Sequence, residues 1–343
     1  SIKNENMNQH HLQFGIMSIK LKTPTIKELR KKYNSLRPDI RQLGIDDIIY
    51  GQEWFLKERI QKAKLLIEES YIPNLREFAQ TGIPNSARPK IWSKIMNINE
   101  LTAKDYHYYY LLITQIHQWD VITDDLTRFD VQDCADYAEF FVFEDTLDEI
   151  MLAFSRDAEI FNLCTTLVHT NPLKSDHRIS KDVTVLKNLT TYITTVPPSG
   201  IVPYHRQAIF AAPIAYQYTK HEELYYLFRS MYCTYWYKLH LISTEKDSIL
   251  YLSIFFENIL QRRRPDIFYY CVQLGIQPLK IAFQWMFSAF VGFLSIDQVL
   301  YLWDRILGYN NLELLAITSA AIFIYRAESV LQAKNADEIK DIF

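Results

Sequence analysis

Glycine is scarce in this chain, with 8 among 343 residues. Hairpin turns and phosphate-binding loops depend on glycine, because glycine alone adopts positive φ at little cost. Apolar residues make up 49% of the chain, and they include 23 Tyr and 20 Phe. The composition therefore predicts long helices packed around a core rich in aromatic side chains.

Helical periodicity agrees with the scarcity of glycine. Ile49, Leu56, Ile60, Ala63 and Ile67 recur at helical spacings and predict an amphipathic helix over 47–69. Further helices are predicted at 25–36, from about 87, and at 104–119, 140–155, 157–169, 183–195, 205–219, 221–242, 246–262, 266–274, 278–291, 295–307 and 311–334. The sequence has no long strand alternation and no fixed repeat, so the predicted fold class is all-α.

Several kinds of chemistry lack their sequence motifs. The chain contains no GxxxxGK[ST] or GxGxxG phosphate-binding motif, no GxSxG and no HExxH. The four cysteines, Cys134, Cys164, Cys233 and Cys271, lie far apart and have no metal-ligand spacing. They are expected to be free thiols in a reducing compartment. We therefore expect no metal site and no bound cofactor.

The charge distribution bears on binding partners. The net charge is −3 and the pI about 6.3, so no basic field favours nucleic acid. Residues 1–70 carry 13 Lys/Arg against 9 Asp/Glu, and the rest carry 24 against 31. The excess of basic residues in 1–70 indicates either a solvated helical surface or weak attraction to an anionic membrane. The apolar run Leu314–Tyr325 is too short for a transmembrane helix. The predicted location is cytoplasmic, with peripheral contact to intracellular membranes as an option.

Two residues of a possible motif follow the turn Gly82–Pro84. Arg88 and Trp92 are four positions apart, so they lie on one face of a helix. A guanidinium in that position can lie over the indole ring. Such pairs also occur in ordinary helix packing, and spacing alone leaves both interpretations open.

A lone arginine lies in an acidic stretch. Residues 120–150 contain 11 Asp/Glu and one cation, Arg128. Asp125 precedes Arg128 by three residues and lies on the same helical face, three residues after Ile122. The pair is either an ordinary surface ion pair or an arginine whose planar guanidinium is oriented for a phosphate.

In this order, the segments resemble the TBC domain, the family of Rab GTPase-activating proteins. The family motifs are GIP followed by RxxxW, then IxxDxxR, then tryptophans in the closing helices. The matching residues are Gly82, Ile83, Pro84, Arg88, Trp92, Ile122, Asp125, Arg128, Trp285, Trp303 and Asp304. The resemblance implies a multi-helix domain of two helical lobes over 76–335, preceded by an N-terminal helical extension over 1–75.

The resemblance also implies a mechanism acting in trans. Arg128 would enter the nucleotide site of a GTP-bound Rab-type GTPase and neutralise charge on the phosphate oxygens. Asp125 would orient Arg128, while Arg88 and Trp92 would brace that surface. GTP and Mg²⁺ would be bound by the partner.

One family motif departs from its usual form. The family has a YxQ motif, whose glutamine positions the attacking water, shortly before an Ala-Ala-Pro run that is present here as Ala211–Pro213. Counting back without gaps places Pro203 at the tyrosine and His205 at the glutamine. Tyr204 and Gln207 are nearby, although Gln207 is two positions late, about 200° around a helix. Either His205 or Gln207 could replace the glutamine, or the GTPase could use its own.

Three functions remain open on sequence. The first is a GTPase-activating protein with an arginine finger and an atypical glutamine position. The second is a Rab-binding module without catalytic effect, favoured by the altered motif. The third is a helical scaffold for other proteins, using the helices of residues 25–70. In none of them does the chain turn over a substrate of its own.

Overall fold

The computed structural model describes residues 53–98, 100–168 and 197–343. Within these ranges the regular elements are helices, and the β pairing is a single isolated bridge between Val291 and Leu294. The predicted all-α class is therefore confirmed. The helices predicted at 25–36 and 183–195 lie outside the described residues.

The helices follow one another with short connections. Before the undescribed segment they are α1 Glu53–Glu69, α2 Ile72–Ala79, α3 Arg88–Ile95, α4 Ala103–Gln118, α5 Asp124–Ala135, α6 Glu144–Arg156 and α7 Glu159–Val168. After it they are α8 Ala212–Ala215, α9 His221–Thr234, α10 Ile249–Arg263, α11 Pro265–Gln273, α12 Pro278–Phe287, α13 Ile296–Tyr309, α14 Glu313–Tyr325, α15 Ala327–Gln332 and α16 Ala336–Ile342. Short 3₁₀ helices cover Phe141–Phe143, Ala208–Phe210 and Trp236–His240.

Local sequence signals account for several helix starts. A reciprocal cap precedes α4, where the Thr102 side chain accepts from the Asp105 amide and the Asp105 carboxylate accepts from the Thr102 amide at 2.7 Å. These bonds satisfy donors that a helix start otherwise leaves unpaired. Pro278 opens α12, at a position where the missing amide hydrogen costs nothing.

Three predicted helices are wrong in their extent. The helix predicted over 221–242 ends as an α-helix at Thr234 and is followed by the 3₁₀ helix Trp236–His240. The helix predicted over 205–219 is a 3₁₀ turn, Ala208–Phe210, followed by the short α8. It fails because Arg206 has φ of +70°, and because Pro213 fits only the first turn of a helix. The helix predicted over 311–334 is interrupted at Arg326, between α14 and α15.

The main core joins the two ends of the described chain. It runs from Ala63 of α1 to Phe323 of α14, and α10 packs along α14 at its centre. Trp236 stacks on Phe210 at 5.5 Å and meets Trp303 at 4.6 Å between ring centroids. A smaller cluster lies between α11, α15 and α16. Among the described residues, no helix has the length and apolarity needed to cross a membrane.

The predicted boundary between an extension and the main domain falls inside a helix. Residues 75 and 76 both belong to α2. Ahead of it, α1 packs on α2 and α3, and Leu66 belongs to the main core. The described part of the predicted extension is therefore continuous with the domain in packing.

Candidate functional site

Arg128 lies at a partly exposed edge of α5. Its side chain is 41% exposed, and Nη1 is 3.9 Å from Oδ1 of Asp125, which is 86% exposed. That separation is too long for a hydrogen bond, and an ion pair this exposed contributes little. Asp148 of α6 also lies near Arg128. Burial raises the pKa of Asp148, and the charge of Arg128 opposes that rise. Arg128 is thus placed by carboxylates from two helices without being locked.

Exposed apolar side chains lie on or just before the same helix as this arginine and on the element packed beside it. Ile122, Leu126 and Phe129 follow one face at helical spacing, and each is more than half exposed. Phe141 and Val142 of the neighbouring 3₁₀ helix are both 62% exposed. We call these five residues, with Arg128, the α5 surface. Five large apolar side chains exposed on two neighbouring elements favour an interaction surface.

Arg88 and Trp92 are buried at a different junction. Both side chains donate to Asp304 of α13, Arg88 through Nε at 3.1 Å and Trp92 through Nε1 at 2.7 Å. The Ile83 amide donates to the same carboxylate at 2.9 Å. Burial raises the pKa of Asp304, and the charge of Arg88 opposes the rise. Instead of lying over the Trp92 indole, the guanidinium lies 5.2 Å from the ring centroid of Tyr301. This motif therefore joins α3 to α13.

In the segment preceding Ala211–Pro213, some side chains are exposed to solvent and others lie in the core. His205 is 73% exposed, and its Nδ1 lies 3.4 Å from Oδ2 of Asp133 on α5. Gln207 is 3% exposed and lies near the hydroxyl of Tyr232. Tyr204 also faces inward, because its hydroxyl is 3.1 Å from that of Tyr232. Of the two candidate replacements for a glutamine, His205 is the one on the surface.

The structure brings this segment against α5. Asp130, two residues after Arg128, accepts hydrogen bonds from the backbone amides of Arg206 and Ala208. Arg128 and His205 therefore belong to elements in direct contact. Asp130, Asp133 and Arg206 were not identified from the sequence. The sequence could have identified Asp130 by its position on the inward face of an amphipathic helix. A buried carboxylate there requires a hydrogen-bond partner.

A family model described as the Rab-GTPase-TBC domain matches residues 184–331. The chain is also 36% identical over 323 residues to TBC1 domain family member 19 of Homo sapiens, which covers 94% of this chain. Both comparisons make the chain similar to the TBC domain family. The chain spans 60% of the length of that human relative.

The range matched by the TBC family model includes some of the site residues and leaves others out. His205, Gln207, Trp285 and Asp304 fall inside the matched range, whereas Arg128 precedes it. The predicted roles of Arg128 and His205 stay predictions that rest on motif and geometry. In the described parts of the chain, no group of His, Cys, Asp and Glu side chains is arranged to hold a metal ion.

Proposed function

We propose that this chain is a GTPase-activating protein for a Rab-family GTPase in its GTP form. The observation that carries the proposal is the α5 surface, in which a partly exposed arginine lies among exposed apolar side chains. The family model names the Rab GTPase as the class of partner for such domains.

The α5 surface suits the insertion of an arginine into a partner. Apolar side chains around Arg128 would exclude water on docking, which strengthens electrostatic interactions inside the contact. The exposed pair with Asp125 is worth about 0–1 kcal/mol, so Arg128 is released at small cost. An arginine finger accelerates hydrolysis by roughly 10³–10⁵, or about 4–7 kcal/mol of barrier. The GTPase would supply GTP and Mg²⁺, and the reaction would take place in its site.

His205 is the proposed second group. Its imidazole projects from the segment that contacts α5, while Gln207 is buried in the interior. A neutral imidazole accepts a hydrogen bond from water and so can orient the attacking molecule. Asp133 would hold the ring through Nδ1 and leave Nε2 directed outward.

The test is single-turnover hydrolysis across a panel of purified GTP-loaded Rab proteins. The wild-type chain is compared with Arg128→Ala, with His205→Ala, and with Arg262→Ala as an exposed control on α10. Arg128→Ala is expected to lose roughly 10³-fold or more of the acceleration. His205→Ala is expected to lose roughly 10²-fold. Arg262→Ala should match the wild type. Unchanged acceleration in Arg128→Ala would refute the arginine-finger role.

The second candidate is a Rab-binding module without catalytic effect. It is favoured by the burial of Gln207, which leaves no glutamine on the exposed face of the described segment 203–208. It predicts tight binding to a Rab protein loaded with a non-hydrolysable GTP analogue, with no acceleration of hydrolysis. Binding that ignores the nucleotide state would instead favour the scaffold hypothesis.

A further inference from the structure

The carboxylate of Asp130 joins two elements that are distant in sequence. Side chains two positions apart on a helix point about 200° apart, so Asp130 faces inward where Arg128 faces outward. Asp130 is 6% exposed. Its Oδ2 accepts from the Ala208 amide at 2.6 Å, and its Oδ1 accepts from the Arg206 amide. One carboxylate thus binds two backbone donors of the segment that carries His205.

The chemistry of this contact resembles a helix cap supplied from another helix. The 3₁₀ helix Ala208–Phe210 begins with amides that have no partner within the turn, and its preceding residue, Gln207, provides no side-chain cap. A carboxylate is a strong acceptor for such donors, because the hydrogen bonds are charge-assisted. Asp130 replaces a local cap with one that belongs to α5.

A second set of contacts holds the same segment from the opposite side. Arg206 has φ of +70°, a strained conformation for a residue other than glycine. Its Nη2 donates to the Val291 carbonyl at 2.9 Å, and its guanidinium lies 5.0 Å from the ring centroid of Phe293. A Cβ on Gly292 would lie 2.9 Å from Nη2, so glycine leaves room for this contact. With Arg206 anchored inward, the neighbouring His205 side chain projects into solvent.

We propose that Asp130 is a positioning residue that fixes the placement of His205 relative to Arg128, which deepens the proposed function and rests on it. Arg128 belongs to the backbone of α5, whereas the backbone beside His205 is held on α5 by Asp130 and the exposed imidazole lies against Asp133. A displacement of about 1 Å in a catalytic group can cost about 10²-fold in rate. The hydrogen bonds of Asp130 therefore control catalysis without any contact with the nucleotide.

The experiment uses the whole chain and the Rab protein that the wild type accelerates most in the panel. Asp130→Ala removes both acceptors, and Asp130→Asn retains one carbonyl acceptor and places an NH₂ group against the other amide. Asp136→Asn changes an exposed carboxylate at the end of the same helix and is the matched control. Three quantities are measured for each variant: the hydrolysis rate at saturation, the Kd for the Rab protein loaded with a non-hydrolysable analogue, and hydrogen exchange at the Arg206 and Ala208 amides.

The expected result separates rate from affinity. Asp130→Ala lowers the saturated rate by roughly 10–10²-fold and leaves the Kd nearly unchanged, because the α5 surface is intact. Exchange at the two amides becomes roughly 10–100-fold faster. Asp130→Asn falls between Asp130→Ala and the wild type in both rate and exchange. The control matches the wild type throughout.

Other outcomes overturn the inference in distinguishable ways. A wild-type rate in Asp130→Ala would overturn it alone and leave the arginine-finger proposal standing. A parallel loss of rate and affinity would assign Asp130 to general stability. If the wild-type chain accelerates no Rab protein, the proposed function fails and this inference falls with it.

Discussion

Glu257 is a carboxyl group buried in the middle of α10. Its side chain is 7% exposed, and burial raises its pKa from 4.5 to about 7. Between those two pH values the folded chain keeps a proton that the unfolded chain has released. The unfolded state then binds fewer protons, so stability falls as the pH rises through this interval. Above about pH 7 the full cost of ionising a buried carboxyl group is present.

Replacing Glu257 by glutamine should therefore stabilise the protein in a pH-dependent manner. Glu257→Gln is expected to raise the free energy of unfolding by about 3 kcal/mol at pH 8, at about 1.4 kcal/mol per pKa unit. At about pH 3.5 this contribution vanishes, because both states are then largely protonated. Urea unfolding at the two pH values measures the difference, with exposed Glu69→Gln as control. An effect of equal size at both pH values would mean that ionisation of Glu257 is not its cause.

Individual residues show which features of the candidate site could be predicted from the sequence and which could not. The spacing of Asp125 and Arg128 on one helical face was correctly placed, because it depends only on the local geometry of a helix. Gln207 is buried near Tyr232, and Asp130 accepts a hydrogen bond from the amide of Ala208. Those partners lie 25 and 78 residues away along the chain, beyond the reach of local patterns.

At the scale of elements, helices whose determinants are local in sequence were predicted well, and helices that depend on distant partners were not. The α4 helix was predicted at 104–119 and runs over Ala103–Gln118, because its cap and its periodicity are both local. In the helix predicted over 205–219, Arg206 has positive φ, and its amide binds Asp130 of α5, which lies 76 residues earlier in the chain. A distant carboxylate replaced the local helix start, and no signal near residue 205 indicates that partner.

The junction between α2 and α13 requires glycine for close approach. At Gly308 a Cβ would lie 2.7 Å from the backbone nitrogen of Gln80 and 2.8 Å from the carbonyl oxygen of Arg76. Arg76 also donates to the Leu307 carbonyl at 2.6 Å. The two backbones therefore touch at this point, and the contact is fixed by a side-chain hydrogen bond.

Gly308→Ala should destabilise the protein although it improves helix propensity. Within a helix, alanine is normally favoured over glycine by roughly 0.5–1 kcal/mol. Here the added methyl must push apart two backbones, and overpacking of this kind costs about 1–3 kcal/mol. Urea unfolding is expected to show a net loss of stability. A gain in stability would mean that α2 moves away from α13 freely.

For the whole molecule, the helices before residue 76 should be part of the folding unit. Leu66 is buried in the main core, and Arg59 donates to the Phe78 carbonyl at 3.4 Å. A chain shortened to begin at residue 76 is expected to lose about 3–5 kcal/mol of stability relative to one beginning at residue 53. Thermal unfolding and binding of an apolar-surface dye measure the loss. Equal thermal midpoints for the two chains would support a separable extension over 1–75.

The junction of Arg88 and Trp92 with Asp304 also sets an order of events during synthesis. The indole donor of Trp92 and its acceptor are 212 residues apart. A ribosome adding about 5–20 residues per second needs roughly 10–40 s to cover that interval. Throughout this delay α3 has been synthesised without its carboxylate acceptor. The amphipathic helices before α3 also lack the C-terminal helices that complete their core. The nascent chain must therefore be shielded from aggregation until α13 is made, and any message truncated before residue 304 yields a product that cannot close its core.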